Sequence, residues 1–180
     1  MNVLTSLTRI CPPPAAEGRS LAEHIGEGGM VVPQSHTAML DVYGPGCFND
    51  FLWIYDRARA DVWPDIGARS RESAEILAGK EIPAIRSVTG RLGAAPEDLI
   101  QWGGTDNADS LFWIPVGEPE SWPTLLVEAG HLAFLLVEEP SPSVILGLLA
   151  GTLECPFFPP DFREAEPSFE RWRGEGREEP

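Results

Sequence analysis

Hydrophobic spacing along this chain switches between the period of a helix and that of a strand, and the switch points outline its elements. Pro33 sits where a helix would start. His36, Met39, Leu40 and Tyr43 follow at i, i+3, i+4 and i+7, with Gly44 just past the end, so the spacing predicts a helix over 34–43. Gly44-Pro45-Gly46 demands a turn, and Phe48 to Tyr55 is aromatic and β-branched over the length of a strand. Ser70 to Lys80 reads as a second helix, N-capped by Ser70 and stopped by Gly79 and the following Ile82-Pro83. Residues 83–98 carry little pattern and read mainly as loop.

Further on, Leu99 to Trp102, the polar stretch Gly103 to Asp109 and Ser110 to Pro115 form an apolar–polar–apolar hairpin signature. Trp122 to Ala129 and His131 to Glu138 make a second pair of strand-like runs around Gly130. Ser141-Pro142-Ser143 opens a last helix, with Val144, Ile145, Leu148 and Leu149 on one face and Gly151 as its stop. Strands joined by short turns pair antiparallel, so the chain is predicted to be α+β: helices packed on a largely antiparallel sheet in a single domain. That domain is placed at residues 20–162. Before it, residues 1–19 read as an irregular lead-in around Cys11-Pro-Pro-Pro14, and the domain itself opens on a short helical candidate at Ser20 to Ile25. After it, residues 163–180 form a charged tail expected to be flexible beyond its first positions.

Composition agrees with one domain: 180 residues at 43% hydrophobic can bury a single core, and 18 Gly with 18 Pro imply many turns and short elements. Charge adds more. The net charge is −15, and residues 101–160 hold eight acids and no Lys or Arg, so over half of it lies in one third of the chain. Such a surface repels nucleic-acid phosphates and anionic lipid, and it favours a basic protein partner. No apolar run approaches the ~20 residues needed to span a bilayer, and Met1 to Pro14 lacks the pattern of a secretory signal, so a cytoplasmic location is expected. Cys11, Cys47 and Cys155 are odd in number and widely spaced, which predicts free, mostly buried thiols.

Chemical motifs are few. Gly26-Glu27-Gly28-Gly29 lacks the strand, the third spaced Gly and the Lys-Ser/Thr pair of a phosphate loop. Asp106, Asn107 and Asp109 fail the spacing of a calcium loop and read as a hairpin turn. His36 falls on the apolar face of its helix, and neither His24 nor His131 has a neighbour at metal-ligand spacing. No cofactor, metal site or catalytic apparatus is predicted. Trp53, Trp102 and Trp113 read as core, whereas Trp63 and Trp122, each followed by Pro, occupy turns where an aromatic can be partly exposed.

The run Val32 to Trp53, with its Pro33, its helix ending in Tyr43-Gly44 and its Gly46-Cys47-Phe48 entry to an aromatic strand, resembles the SMI1/KNR4 family, also called the SUKH superfamily. Gln101-Trp102-Gly103-Gly104-Thr105-Asp106-Asn107-Ala108-Asp109-Ser110-Leu111-Phe112-Trp113 is similar to that family's Trp-Gly hairpin, and Phe134 through Gly151 to Cys155-Pro156-Phe157-Phe158-Pro159 resembles its usual end. His36 stands where Tyr or Phe is usual, Ala108 replaces a turn Gly, and residues 83–98 have no clear counterpart. The resemblance implies a non-enzymatic domain. Bacterial relatives are immunity proteins that bind and neutralise toxins, often nucleases, of polymorphic or contact-dependent systems, and fungal relatives are scaffolds. A cognate toxin with a basic surface is therefore the expected partner; a regulatory or scaffold module is the alternative. Asp50, Asp106, Asp109, Glu118, Glu120 and Trp122, all in turns around the acidic third, are the expected partner-binding residues.

Overall fold

The computed structural model describes residues 2–15, 30–56, 65–80, 82–130 and 133–172. The candidates at Ser20–Ile25 and Gly26–Gly29, together with His24, Trp63, His131 and the chain beyond Trp172, lie outside the described residues. Helix α1 (Val3–Ile10) replaces the irregular lead-in. The Asn2 side chain accepts a hydrogen bond from the Leu4 amide at 3.0 Å, which caps the helix, and Leu7 is fully buried.

Helix α2 (Gln34–Tyr43) matches the predicted range and buries His36, Met39, Leu40 and Tyr43. The following aromatic stretch is two strands rather than one: β1 (Gly46–Phe48) and β2 (Leu52–Ile54). Asn49 and Asp50 separate them, both at φ 49°, a left-handed conformation that Asn and Asp tolerate and that suits a tight hairpin. Helix α3 (Ile66–Gly79) starts four residues before the predicted position because Asp65, not Ser70, is its cap. Ser70 lies inside it, donating to the Ile66 carbonyl at 2.6 Å and accepting from the Gln101 amide at 2.9 Å.

Residues 83–98 are not loop. Pro83 opens helix α4 (Pro83–Leu92), Ile85, Val88 and Thr89 face inward, Gly93 ends it in a left-handed conformation, and a 3-10 turn follows at Pro96–Asp98. Strands β3 (Ile100–Thr105) and β4 (Ser110–Trp113) form the predicted hairpin, with Gly103 and Gly104 in the strand. A Cβ on Gly104 would lie 2.4 Å from the Tyr55 hydroxyl, so only glycine fits beneath that ring. Strands β5 (Thr124–Val127) and β6 (Phe134–Val137) and helix α5 (Ser141–Leu149) follow as expected. The tail then contributes α6 (Pro160–Glu164) and β7 (Phe169–Arg171).

All strand pairs are antiparallel, in the order β6-β5-β4-β3-β2-β1-β7, which makes the fold α+β as predicted. Alternate residues divide the core in two. Leu111, Trp113 and Leu126 pack with Leu7, Met39, Ile145 and Phe162, from α1, α2, α5 and α6. Phe112, Ile114, Leu125 and Val127 pack on the other face with Leu77, Ile85 and Val88, from α3 and α4. No helix among the described residues is long and apolar enough to cross a membrane.

Candidate functional site

At the β2-β1-β7 end the sheet presents a different surface. Cys47 is register partner to Trp53 on one side and to Glu170 on the other, so the three side chains stand in one row across three strands. Their neighbours Leu52, Ile54 and Phe48 turn the opposite way into the core. Cys47, small between two long side chains, is the floor of a cleft of about 310 Å³, with Asp50, Asp106, Arg171 and Trp172 at its margins. Asp50 and Asp106 are exposed at the tips of two adjacent turns. The Trp53 indole N–H donates to the Asp106 carboxylate at 2.7 Å, which fixes both groups.

The electrostatics of this cleft are negative. Burial pushes the Cys47 thiol well above its ordinary range, and the charges of Asp106, Asp50 and Glu170 push it further, so it stays protonated. Arg171 also lines the cleft, one cation against three carboxylates, and its guanidinium group is fixed by donating to the Tyr43 carbonyl at 2.7 Å and the Val42 carbonyl at 3.4 Å at the end of α2.

Of the six expected partner-binding residues, the structure brings together only Asp50 and Asp106. Asp109 is 4% exposed: its carboxylate accepts from the Thr105 hydroxyl at 2.7 Å and the Ala129 amide at 3.0 Å, so it builds the hairpin from within. Trp122, 7% exposed, is a core residue, packed beside Trp113 with its indole N–H donating to the Gly117 carbonyl at 3.2 Å. Both are corrected from surface to interior, because the turns that carry them fold back onto the sheet. Glu118 is exposed and away from the cleft lining. Glu120 accepts from the backbone amides of Gln34 and Ser35, capping α2 where Pro33 has no side-chain acceptor of its own. Glu120→Ala is expected to cost about 1 kcal/mol of folding stability in urea denaturation, the size of a lost cap, and to leave binding at the cleft unchanged.

Trp53, expected in the core, is half-buried: it packs against the main core cluster and also lines the cleft. Glu170 and Trp172 lie in the charged tail, whose composition predicts flexibility and gives no local sign of a strand at Phe169–Arg171. A second concavity, of about 220 Å³ among Leu148, Cys155 and Phe158, has Arg163 on its lining, and Arg163 is ion-paired with Glu154. A Ser–His pair also lies in the core. The Tyr55 carbonyl can only accept, so His36 Nε2 carries the proton toward it at 3.1 Å and Nδ1 accepts from the Ser141 hydroxyl at 2.9 Å. Both residues are sealed, at 0% and 1% exposure, and the pair fastens α2 to α5 and to the end of β2.

Comparison with known proteins does not extend this picture. No family model, no curated protein and no solved structure matches the chain. Among the described residues no group of three or more His, Cys, Asp or Glu is placed to hold a metal ion. The cleft, with its carboxylates and two tryptophans, is the surface whose chemistry is least explained by folding.

Proposed function

We propose that this protein is an immunity protein that binds a cognate toxin and neutralises it, using the cleft face as its docking surface. One observation carries the reading: Asp50, Asp106 and Glu170 gather around Trp53 and Trp172 on a concave sheet face, while the nearby cation, Arg171, is held by backbone carbonyls. Aromatic anchors ringed by charge of one sign suit a protein partner of the opposite sign. The resemblance to the SMI1/KNR4 family supplies the toxin. Its first quoted block covers α2, β1 and the start of β2, and its second covers β3 and β4, the elements that carry Cys47, Asp50, Trp53 and Asp106. An acidic inhibitor gains association rate against a basic toxin by electrostatic steering.

Co-expression with a candidate toxin from a neighbouring gene is the direct test, with rescue of growth and a stable complex expected. Replacing Asp50, Asp106 and Glu170 together by Lys should slow association by about tenfold or more at low salt and flatten its salt dependence. Unchanged rates would remove this face from the reading. A complex with a non-toxin regulator, and no rescue, would favour the scaffold alternative.

A further inference from the structure

The cleft is narrow in one direction and its lining differs from wall to wall. Trp53, Cys47 and Glu170 are consecutive across β2, β1 and β7, so the Trp53 and Glu170 backbones stand two strand spacings apart, about 10 Å. One wall is therefore an indole and the other a carboxylate, over a floor set by the short Cys47 side chain. Asp50 and Asp106 add two further carboxylates to the lining, which Arg171 and Trp172 complete. A cleft of about 310 Å³ lies at the lower limit for small-molecule pockets, which suits a single side chain better than a large ligand.

We infer that this slot accepts one arginine side chain of the partner, its guanidinium stacked on Trp53 and hydrogen-bonded to the carboxylate of Glu170. The inference rests on the reading of this face as the docking surface and names the group it recognises. Guanidinium is the cation whose plane stacks on an aromatic ring while its edge presents paired donors to a carboxylate; an ammonium group offers a point charge and no plane. The Trp53–Asp106 hydrogen bond holds the indole before the partner arrives, which lowers the cost of ordering it. Burial is the main reason the Cys47 thiol stays protonated, and the charges of Asp106, Asp50 and Glu170 add to it at the slot floor, so a cation there meets three carboxylates against the one guanidinium of Arg171.

The test needs no toxin, so its failure is separable from failure of the immunity reading. The full chain, labelled with nitrogen-15, is titrated with N-acetyl-arginine amide, with the lysine analogue and with the uncharged citrulline analogue. Shifts of the Trp53 indole N–H, assigned by its loss in Trp53→Phe, report occupancy. Saturable binding on the order of millimolar is expected for arginine, at least about fivefold weaker for lysine and absent for citrulline. Glu170→Gln, an exposed change that keeps the shape, should weaken arginine binding by about tenfold. Cys47→Phe, which fills the floor, should abolish it. Citrulline binding as well as arginine, lysine matching arginine, or Glu170→Gln without effect would each overturn the proposal, whether or not Cys47→Phe folds.

Discussion

Between pH 7 and pH 4 the folded protein is expected to lose about 3 kcal/mol of stability through one side chain, His36. Burial lowers its pKa from 6.5 to about 4, and the hydrogen bond to the Tyr55 carbonyl opposes that only in part. The unfolded chain therefore binds a proton near pH 6.5 that the native state refuses until near pH 4. Stability is fully present above pH 6.5 and is drained across the window between the two values. The structural cause is specific. Protonation would put a charge in a site sealed from water and walled by Trp102 and Trp113, with ring centroids 5.7 Å and 4.8 Å away, and would oblige the Ser141 hydroxyl to turn from donor to acceptor. Urea denaturation of the protein and of His36→Phe at pH 7, 6, 5 and 4 checks it. The variant starts less stable, having lost the two hydrogen bonds that His36 makes with Ser141 and Tyr55, but the gap between the two should shrink by about 3 kcal/mol toward pH 4. Parallel curves would show that His36 does not carry the dependence.

Phe169→Ala is expected to destabilise the protein by about 3 kcal/mol, as removal of a packed aromatic ring does. Phe169 contacts Tyr43 and Phe48 with ring centroids 5.0 Å and 4.6 Å apart, so β7 is pinned to the core as well as hydrogen-bonded along β1. Asn49 adds a clamp, accepting from the Ser168 amide at 2.7 Å and donating to the Phe162 carbonyl at 2.9 Å. Gly46→Val tests the same contact from the other strand. A Cβ there would lie 2.2 Å from the Glu170 carbonyl, which β7 cannot accommodate without leaving the sheet. Limited proteolysis should then cut near residue 166 in both variants before the rest of the chain. A loss under about 0.5 kcal/mol for Phe169→Ala, the range of ordinary surface changes, would mean that the tail is as free as its charge suggested.

Elements whose signals are contiguous were legible from the residues alone. Pro33, the apolar i, i+3, i+4, i+7 set and Gly44 fall within a dozen positions, and α2 has the predicted ends. The β3–β4 hairpin is similar, although Ala108 takes φ 65° where a turn glycine is usual, so the turn geometry survives the loss of that residue. The misread elements depend on distant partners. Helix α4 shows Ile85, Val88 and Leu92 at helical spacing, but Ser, Thr and Gly dilute its propensity, and burial against Phe112 and Leu125 decides the matter. Helix α1 and strand β7 sit beside stretches rich in proline or charge, and both are held by contacts with segments distant in sequence. The Cys11 carbonyl accepts from the Tyr43 hydroxyl at 2.6 Å, and the Pro45 carbonyl accepts from the Trp172 amide at 2.9 Å.

By itself the sequence determined the α+β class, the helix and hairpin at the centre of the domain, the free thiols and the acidic bias of residues 101–160. It also placed Asp50 and Asp106 in turns, where both are exposed, because short polar turns announce themselves. Only the tertiary structure decided that Asp109 and Trp122 are interior, that Glu120 caps a helix, and that Trp53 and Glu170 face one another across Cys47. The physical reason is register. Hydrophobic periodicity is a local property that says which face of a strand is buried, whereas the residues that share a row across three strands are set by pairings between segments far apart in the chain.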